Sequence, residues 1–367
     1  MPESECTAYK ELRDRETRAQ AAWTSFLYRN QNRPKLSERA KRERQKEKMG
    51  AMSKIAKPAC LTRRVSNLHV QRVNLPVISA TAVVKPLFAK LMKIIPLALL
   101  FATALTVVAQ SKPNYEIYAV QYATIPGFSV AELVAGADPA LKIDIAMMIW
   151  LVRGNGRNIL VDSGFYHERF FKDWHVNDFT KPSDTLKRIG LKPEDITDVI
   201  ITHMHWDHAD GVDLFPNARI WIQKDELQYY AGEAWQSKDT HGGIDEEDVL
   251  TLVKLNTQGH VGLVNGDAQE IIPGVICYTG GKHTYQSQYV GVQTAAGTVV
   301  LASDNMYLYE NLERHAPIAA TLDAASNLRA QDRMKQIAAR PGLIIPGHDP
   351  AVFAKFPNPV PGVAEIH

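Results

Sequence analysis

The sequence predicts a layered α/β protein, and two observations lead to this prediction. Between residues 115 and 349, apolar segments of strand length alternate with segments of helical periodicity, in two halves of similar order. In addition, several apolar strands end directly in a polar residue, and these are Asp162, His203, Asp304 and His348. Side chains at strand ends can converge at one edge of a sheet, so this placement indicates a functional site rather than a core.

The first half contains the strands that lead to the first histidine. Residues 115–125 alternate between apolar and polar side chains and are predicted to form a strand. Residues 143–164 hold two apolar runs around Gly154-Asn155-Gly156, which predicts a hairpin. Residues 182–190 are predicted as a helix closed by its final glycine, and residues 195–203 as a buried strand.

The second half repeats the alternation. Residues 218–223 are predicted as a strand, followed by a helix over 224–235. The segment 322–340 has the periodicity of an amphipathic helix. Further strands are predicted at 274–281, 289–294, 297–304 and 342–349.

The N-terminal part has a different composition from the rest. Residues 1–91 hold 20 of the 42 Lys+Arg but only 8 of the 40 Asp+Glu. The run RNQNRPKLSERAKRERQKEKMG (29–50) has no sustained apolar stripe, so it cannot bury enough surface to offset the entropy of ordering. We therefore expect 1–91 to be a disordered basic extension. Three interpretations of this extension stay open. It could be a nucleic-acid or localisation arm, a solvated tail, or an upstream stretch added by a wrong start codon.

A signal-like segment follows at residues 92–109. Lys93 precedes an apolar run over 94–109 that ends in Val-Val-Ala, which is typical of a secretory signal cleaved after Ala109. This run of 16 residues is short for a membrane span of about 20, although an uncleaved anchor stays open. We expect the native protein to begin at Met92 and to be periplasmic or secreted, with residues 110–367 as its hydrolase domain.

The stretch HMHWDH (203–208) carries the clearest chemical signal. His203 and His205 lie two residues apart after a buried strand, so on an extended segment they point the same way and can bind one metal ion. Asp207 and His208 are offset in the following turn and can face a second ion. Imidazole and carboxylate groups suit zinc and its neighbours in the series. The stretch therefore predicts a metal site.

HMHWDH resembles the HxHxDH signature of the metallo-β-lactamase superfamily. Other motifs follow in that family's order, namely VDSG (161–164), His283, Asp304 and PGHD (346–349). The resemblance covers roughly residues 115–360 and implies a four-layer αββα sandwich, preceded by the disordered basic segment and the signal-like apolar helix. It also implies two divalent metal ions, zinc first among them, at one edge of the paired sheets.

The resemblance implies a role for each of these residues. The first ion would be held by His203, His205 and His283, and the second by Asp207, His208 and His348, with Asp304 bridging the two. Asp162 would support the metal loop, and Asp210 is interpreted as a turn or supporting residue. His283 departs from the GHxxGH pattern of many relatives, because the second histidine is missing.

Within the superfamily, the chain resembles the N-acyl-homoserine lactonase branch. Tyr307 lies three residues after Asp304, at an offset where that branch has a tyrosine contacting the substrate carbonyl. Tyr309 follows closely, so either tyrosine could instead be a core residue. The resemblance implies quorum quenching by attack of a metal-bridging hydroxide on the lactone, with Asp207 as proton donor to the leaving oxygen. Residues around 230–262 are expected to face the substrate.

Other functions stay open or are disfavoured. The alternative is another hydrolase of this fold, that is an arylesterase, an organophosphate hydrolase or a thioesterase. Residues 92–367 hold 32 of the 40 Asp+Glu, and this acidic charge disfavours nucleic acid as a partner. The expected partner is a small lactone or ester. A homodimer stays open, and membrane contact is expected only if the apolar segment is not cleaved.

Overall fold

The structure is a computed structural model that describes residues 114–237 and 241–367. The predicted basic segment (1–91) and the signal-like segment (92–109) lie outside the described residues. The described residues belong to one compact unit, Ser111–His367. In the described part of the chain, no helix is both long and apolar enough to span a membrane.

The strands form two mixed sheets. The first sheet has the order β12-β1-β2-β3-β4-β5-β6, and the second has the order β11-β10-β9-β8-β7. In the first sheet β3, β4, β5 and β6 run parallel, and in the second β10 and β11 run parallel. The strands are β1 Glu116–Ser129, β2 Lys142–Gly154, β3 Arg157–Val161, β4 Asp198–Ile200, β5 Arg219–Gln223, β6 Val261–Val264, β7 Gln269–Ile272, β8 Val275–Thr279, β9 Gln288–Thr294, β10 Gly297–Ser303, β11 Ile344–Pro346 and β12 Val363–Ile366.

The helices connect these strands and are mostly short. The α-helices are α1 Val130–Leu133, α2 Arg169–Asp173, α3 Pro182–Thr185, α4 Trp206–Ala209, α5 Lys224–Tyr230, α6 Glu246–Thr257, α7 Tyr309–Glu313, α8 Ala324–Ile337 and α9 Val352–Lys355. The two longest have side-chain N-caps. Asp245 accepts from the backbone N–H groups at the start of α6, and Asp323 does so for α8.

The packing explains why most strands are apolar on both faces. One buried cluster joins residues of both sheets, such as Trp150 and Val290, so the sheets pack face to face. A second cluster lies between the other face of the first sheet and helices α1, α2, α4, α5 and α6. A third joins β10 to α8 through residues such as Ala302 and Met334. The α/β fold predicted from the sequence is confirmed.

Several predicted elements differ in their bounds. The helix predicted over 224–235 ends at Tyr230, because Gly232 breaks the helical backbone and the indole N–H of Trp235 donates to the Tyr230 carbonyl. The predicted helix over 182–190 is α3 followed by a 3-10 turn that ends at Gly190 with φ +73°. The hairpin is present as predicted, with Asn155 and Gly156 at positive φ.

Candidate metal centre

The candidate ligands lie at the ends of strands that share one edge of the two sheets. His203 and His205 follow β4, and Asp207 and His208 lie on the adjoining helix α4. The remaining ligand candidates are on the second sheet or in its loops, with His283 between β8 and β9, Asp304 after β10 and His348 after β11. Parallel strands place their carboxyl ends on the same side, so this topology brings together residues that are far apart in the chain.

The first group of ligand atoms consists of three histidine nitrogens and a carboxylate oxygen. Nδ1 of His205 lies 3.0 Å from Nε2 of His203 and 2.8 Å from Nε2 of His283. Oδ2 of Asp304 lies 3.3 Å from Nε2 of His283 and 3.7 Å from Nε2 of His203. All four atoms are within 4.8 Å of one another.

The second group combines the remaining candidates. Nε2 of His208 lies 3.3 Å from Oδ2 of Asp207, and Nε2 of His348 lies 3.6 Å from the same oxygen. Oδ1 of Asp304 lies 3.0 Å from Nε2 of His348 and 3.3 Å from Nε2 of His208. Asp304 therefore directs one oxygen towards each group. The structure brings together all seven residues that the sequence analysis selected.

The hydrogen bonds around the cluster fit metal binding. Nδ1 of His283 donates to the carbonyl of Ala320 at 2.8 Å, and Nδ1 of His348 donates to the carbonyl of Ala146 at 3.2 Å. A carbonyl can only accept, so in the neutral form of each ring Nδ1 carries the proton and Nε2 is free to coordinate an ion. Buried Nε2 of His208 and Oδ1 of Asp304 have no hydrogen-bond partner, as expected of atoms that coordinate an ion. The donor set fits divalent metal ions of the zinc type.

Asp162 supports the metal loop, as the sequence analysis expected. Its buried carboxylate accepts from Nδ1 of His208 at 2.8 Å and from the backbone N–H and hydroxyl of Thr202 at 2.8 and 3.0 Å. The hydroxyl of Ser303 also donates to it at 3.0 Å. The backbone of Asp162 has φ +62°, which is unusual for a residue other than glycine. Asp162 thus links the loops that carry both groups.

The pKa values of His203, His205 and Asp304 are all lowered relative to their ordinary values. Burial, followed by the neighbouring His283, lowers the pKa of His205 to about 3. Burial also lowers the pKa of His203 well below its ordinary value. Burial opposes ionisation of Asp304, but the neighbouring His208 and His348 hold its pKa well below the ordinary value. His203 and His205 are therefore neutral imidazoles and Asp304 is a carboxylate, which are the protonation states that bind metal ions.

Tyr307 lies beside the cluster. Its Oη is 3.5 Å from Nδ1 of His283, and its ring centroid is 5.9 Å from that of His348. Burial, reinforced by the charges of Asp304 and Asp207, raises the pKa of Tyr307 well above its ordinary value. The side chain is therefore a neutral phenol that can donate a hydrogen bond towards the cluster.

The segment after α5 contacts the first group. Gly243 lies so close to the ring of His205 that an added Cβ would be 2.8 Å from Cδ2, and its carbonyl accepts from the Trp206 N–H. Within the expected substrate-facing stretch 230–262, residues Glu246–Thr257 form helix α6, which packs on the first sheet through Val249 and Leu252. The sequence analysis did not assign a helix to these residues.

Two supporting carboxylates carry no motif of their own. Buried Glu226 on α5 accepts hydrogen bonds from the segments that carry His205 and His283. Sequence reasoning missed it, since an acidic residue early in a helix is common. Asp210, interpreted as a turn or supporting residue, accepts from the backbone N–H groups of Tyr166 and His167, and so ties the turn after α4 to the loop after β3.

Comparison with known proteins places this geometry in context. Residues 148–348 match the family described as the metallo-β-lactamase superfamily. An N-acyl homoserine lactonase of Bacillus cereus is 30% identical over 227 residues, covering 58% of this chain and 84% of the relative. The structure is similar to that of a quorum-quenching N-acyl homoserine lactone lactonase, with a TM-score of 0.54, 23% identity and coverage of 67% of this chain and 96% of the other. It is also similar to AidC, a dizinc quorum-quenching lactonase, with a TM-score of 0.51, 17% identity and coverage of 70% and 95%.

Proposed function

Because this chain belongs to the metallo-β-lactamase superfamily, we propose that it is a two-metal hydrolase that opens the lactone ring of N-acyl-homoserine lactones. The family and the relatives named as lactonases support hydrolysis of an ester bond. The names of these relatives and the tyrosine beside the cluster support an acyl-homoserine lactone as the substrate.

The observation that carries the proposal is the position of Asp304. Its two carboxylate oxygens lie in two different groups of candidate ligands, 3.3 Å from His283 on one side and 3.0 Å from His348 on the other. In this proposal His203, His205 and His283 hold one divalent ion, Asp207, His208 and His348 hold the other, and Asp304 bridges them. Zinc is the ion proposed first, because nitrogen and carboxylate ligands suit it and because AidC is a dizinc protein.

The positions of the side chains suggest a separate role for each residue during ring opening. When bound, two ions would supply a water molecule whose pKa is lowered towards neutrality and a Lewis acid for the substrate carbonyl. The hydroxyl of Tyr307 would donate a hydrogen bond to the carbonyl oxygen as negative charge develops there. The carboxylate of Asp207 would take up a proton and pass it to the ring oxygen as this leaves.

Asp207 is better placed than Asp304 to exchange a proton with the substrate. Its side chain is 13% exposed, against 5% for Asp304. Burial opposes its ionisation, but the neighbouring His208 lowers its pKa, so Asp207 begins as a carboxylate that can accept a proton. The backbone carbonyl of Asp207 also accepts from the hydroxyl of Tyr122 at 3.1 Å, which fixes this part of α4.

A substrate panel tests the proposed function. Initial rates would be measured for the zinc-loaded full chain with a short and a long N-acyl-homoserine lactone, p-nitrophenyl acetate, paraoxon and nitrocefin. We expect the lactones to have the highest kcat/KM, and the His205→Ala variant to lose this activity. Efficient turnover of the aryl ester or the phosphotriester with negligible lactone cleavage would move the substrate to the arylesterase or organophosphate class.

We also propose that residues 92–109 direct export and that residues 110–367 form the hydrolase domain. The apolar run and the Val-Val-Ala ending support this proposal. Expression of residues 92–367, starting at Met92 and carrying a C-terminal tag, in a Gram-negative host, followed by fractionation and N-terminal sequencing, would test it. Periplasmic protein beginning at Gln110 is the expected result, and tagged protein retained uncleaved in the cytoplasm would contradict it.

A further inference from the structure

Glu226 is a buried carboxylate that accepts three hydrogen bonds. It lies on α5 with no solvent exposure. Oε1 accepts from the backbone N–H of Met204 at 3.1 Å and from the hydroxyl of Thr284 at 2.6 Å, and Oε2 accepts from the backbone N–H of Gln286 at 2.6 Å. All three partners are donors, which is an arrangement that suits an acceptor-only carboxylate. Burial of such a group is costly without partners, so this placement needs an explanation.

The three donors belong to the two segments that carry the first group of ligand candidates. Met204 lies between His203 and His205, and Thr284 directly follows His283. Glu226 therefore joins two loops that are about 80 residues apart in the chain, at the points next to their histidines. The ring nitrogens of His205 and His283 that face each other are 2.8 Å apart, so a small shift of either loop changes the site.

The second group is supported by different residues. Nδ1 of His208 bonds to Asp162, and Nδ1 of His348 donates to the carbonyl of Ala146. Among the described residues, the hydrogen bonds of Glu226 go to the segments of the first group alone. Glu226 therefore acts on the side of the first group, whereas the hydrogen bonds to Nδ1 of His208 and His348 come from other residues.

We propose that Glu226 is a positioning residue that holds the His203–His205 segment and the His283 loop at the spacing one metal ion requires, and thereby determines the affinity of the first group without affecting the second. This inference rests on the proposed two-metal function. Its hydrogen bonds go to Met204, Thr284 and Gln286, which neighbour the ligand candidates in the chain, so Glu226 acts through these neighbours. Loss of such a supporting partner typically weakens metal binding about 10- to 100-fold.

Glu226→Gln is a suitable substitution because it preserves shape while it replaces one acceptor oxygen by a donor amide and removes the carboxylate charge. A glutamine has one acceptor oxygen and one donor amide. Whichever way it is oriented, its NH₂ group faces either the N–H of Gln286 or that of Met204, and two donors then oppose each other. The loop that loses its acceptor must move or remain unsatisfied.

The test is a zinc titration of the metal-free full chain against a chromophoric chelator, with the two binding steps assigned through His205→Ala and His348→Ala. For Glu226→Gln we expect the step lost in His205→Ala to weaken about 10- to 100-fold and the step lost in His348→Ala to stay as in the wild type. Thr284→Val, which removes one of the three donors, should weaken the same step by a smaller factor.

Asp198→Asn is the matched control. Asp198 is a buried carboxylate at the start of β4, paired with Arg157 at 2.8 Å and bonded to the indole N–H of Trp221 at 2.9 Å. It lies at the end of the strand away from the ligands. This variant should lower the thermal unfolding temperature but leave both zinc steps unchanged, which separates loss of fold stability from loss of positioning.

The possible results distinguish the inference from the proposed function. Equal weakening of both steps in Glu226→Gln, or no change in either, would overturn the role of Glu226 while the two-metal function stands. Selective weakening in a protein that binds two zinc ions but cleaves no lactone would support the inference and refute the proposed substrate. A wild-type chain that binds no zinc would overturn both.

Discussion

Tyr307 and Tyr309 show how two neighbouring side chains of the same type come to differ. Both are buried, each with 7% exposure, and the sequence alone left open which of them faces the site. Oη of Tyr307 lies 3.5 Å from the His283 ring, whereas the buried hydroxyl of Tyr309 has no hydrogen-bond partner and its ring lies under the amine of Lys355. The structure thus favours Tyr307 as the residue that contacts the substrate.

Tyr307→Phe should lower kcat for lactone hydrolysis by about 100-fold, because one preorganised hydrogen-bond donor to the developing oxyanion is lost. Zinc content should not change, since the phenol is not among the ligands. Stopped-flow or indicator assays would measure the rates. Tyr309→Phe is the control and should keep the wild-type kcat, so equal effects of the two substitutions would refute the role given to Tyr307.

Asp248 is a buried acid whose ionisation affects stability rather than catalysis. It lies near Asp210 and 3.7 Å from Arg169. Burial, followed by the charge of Asp210, raises the pKa of Asp248 to about 10. The folded protein therefore keeps this proton where the unfolded chain, with a pKa of about 3.9, loses it. Its contribution to stability is fully present below about pH 4 and is lost as the pH rises towards 10.

Asp248→Asn replaces this acid by a neutral side chain of the same shape and should remove the pH dependence that it causes. Relative to wild type, the variant should gain about 1 kcal/mol or more in unfolding free energy between pH 5 and pH 8, since each pH unit in this window is worth up to about 1.4 kcal/mol for one group. Urea unfolding at both pH values would measure the difference. If the difference in unfolding free energy between the variant and the wild type is the same at both pH values, the raised pKa of Asp248 is refuted.

At the scale of elements, Gly243, in the described residues just before α6, forms part of the wall of the first group. Gly243 has φ +79°, and its backbone lies against the ring of His205. Its carbonyl accepts from the N–H of Trp206, so this loop is attached to the start of α4. A side chain at position 243 would have to displace the histidine or the loop.

Gly243→Ala should weaken zinc binding at the first group, because the new Cβ would lie 2.8 Å from Cδ2 and 3.0 Å from Nε2 of His205. It should also cost about 1 kcal/mol in stability through its positive φ. Gly266→Ala is a matched control, since Gly266 has φ +84° and no atom within 4 Å of the added Cβ. Zinc affinity and unfolding free energy would be measured for both. If the two variants lose zinc equally, contact with His205 is not the cause.

The sequence predicted those elements whose signals are local. The turn at Asn155-Gly156, the strand that leads to His203 and the HxHxDH turn each depend on adjacent residues, and all are present. Glu226 was not predicted, because its importance comes from loops it meets only after folding. The strand β12 was missed because its four residues gain strand structure by pairing with β1.

At the scale of the whole molecule, the cluster joins the two sheets. The HxHxDH stretch comes from the edge of the first sheet, and Asp304 and His348 come from the second. Face-to-face packing of the sheets brings these ligands together across a shared apolar core. Which residues would pair across the sheets could be named only by family resemblance, because register and strand order are not encoded in any short segment.

Removal of metal should therefore destabilise the folded protein. Ions that bind only the folded state add RT ln(1 + [L]/Kd), or about 4 kcal/mol for one site at a thousandfold excess over Kd. We expect a chelator to lower the thermal unfolding temperature and zinc to restore it. Calorimetry with and without chelator would measure this, with His205→Ala expected to show a smaller shift. If chelator does not change the unfolding temperature, the cluster binds no ion that stabilises the folded protein.

We propose above that seven residues hold two divalent ions with Asp304 between them. The most direct measurement is the zinc content per chain, by mass spectrometry of the metals, after loading and exhaustive dialysis of the full-length protein. Two ions per wild-type chain and fewer than two in Asp304→Asn are the predicted result. One ion or none in the wild type, or two ions retained without the Asp304 carboxylate, would contradict the account.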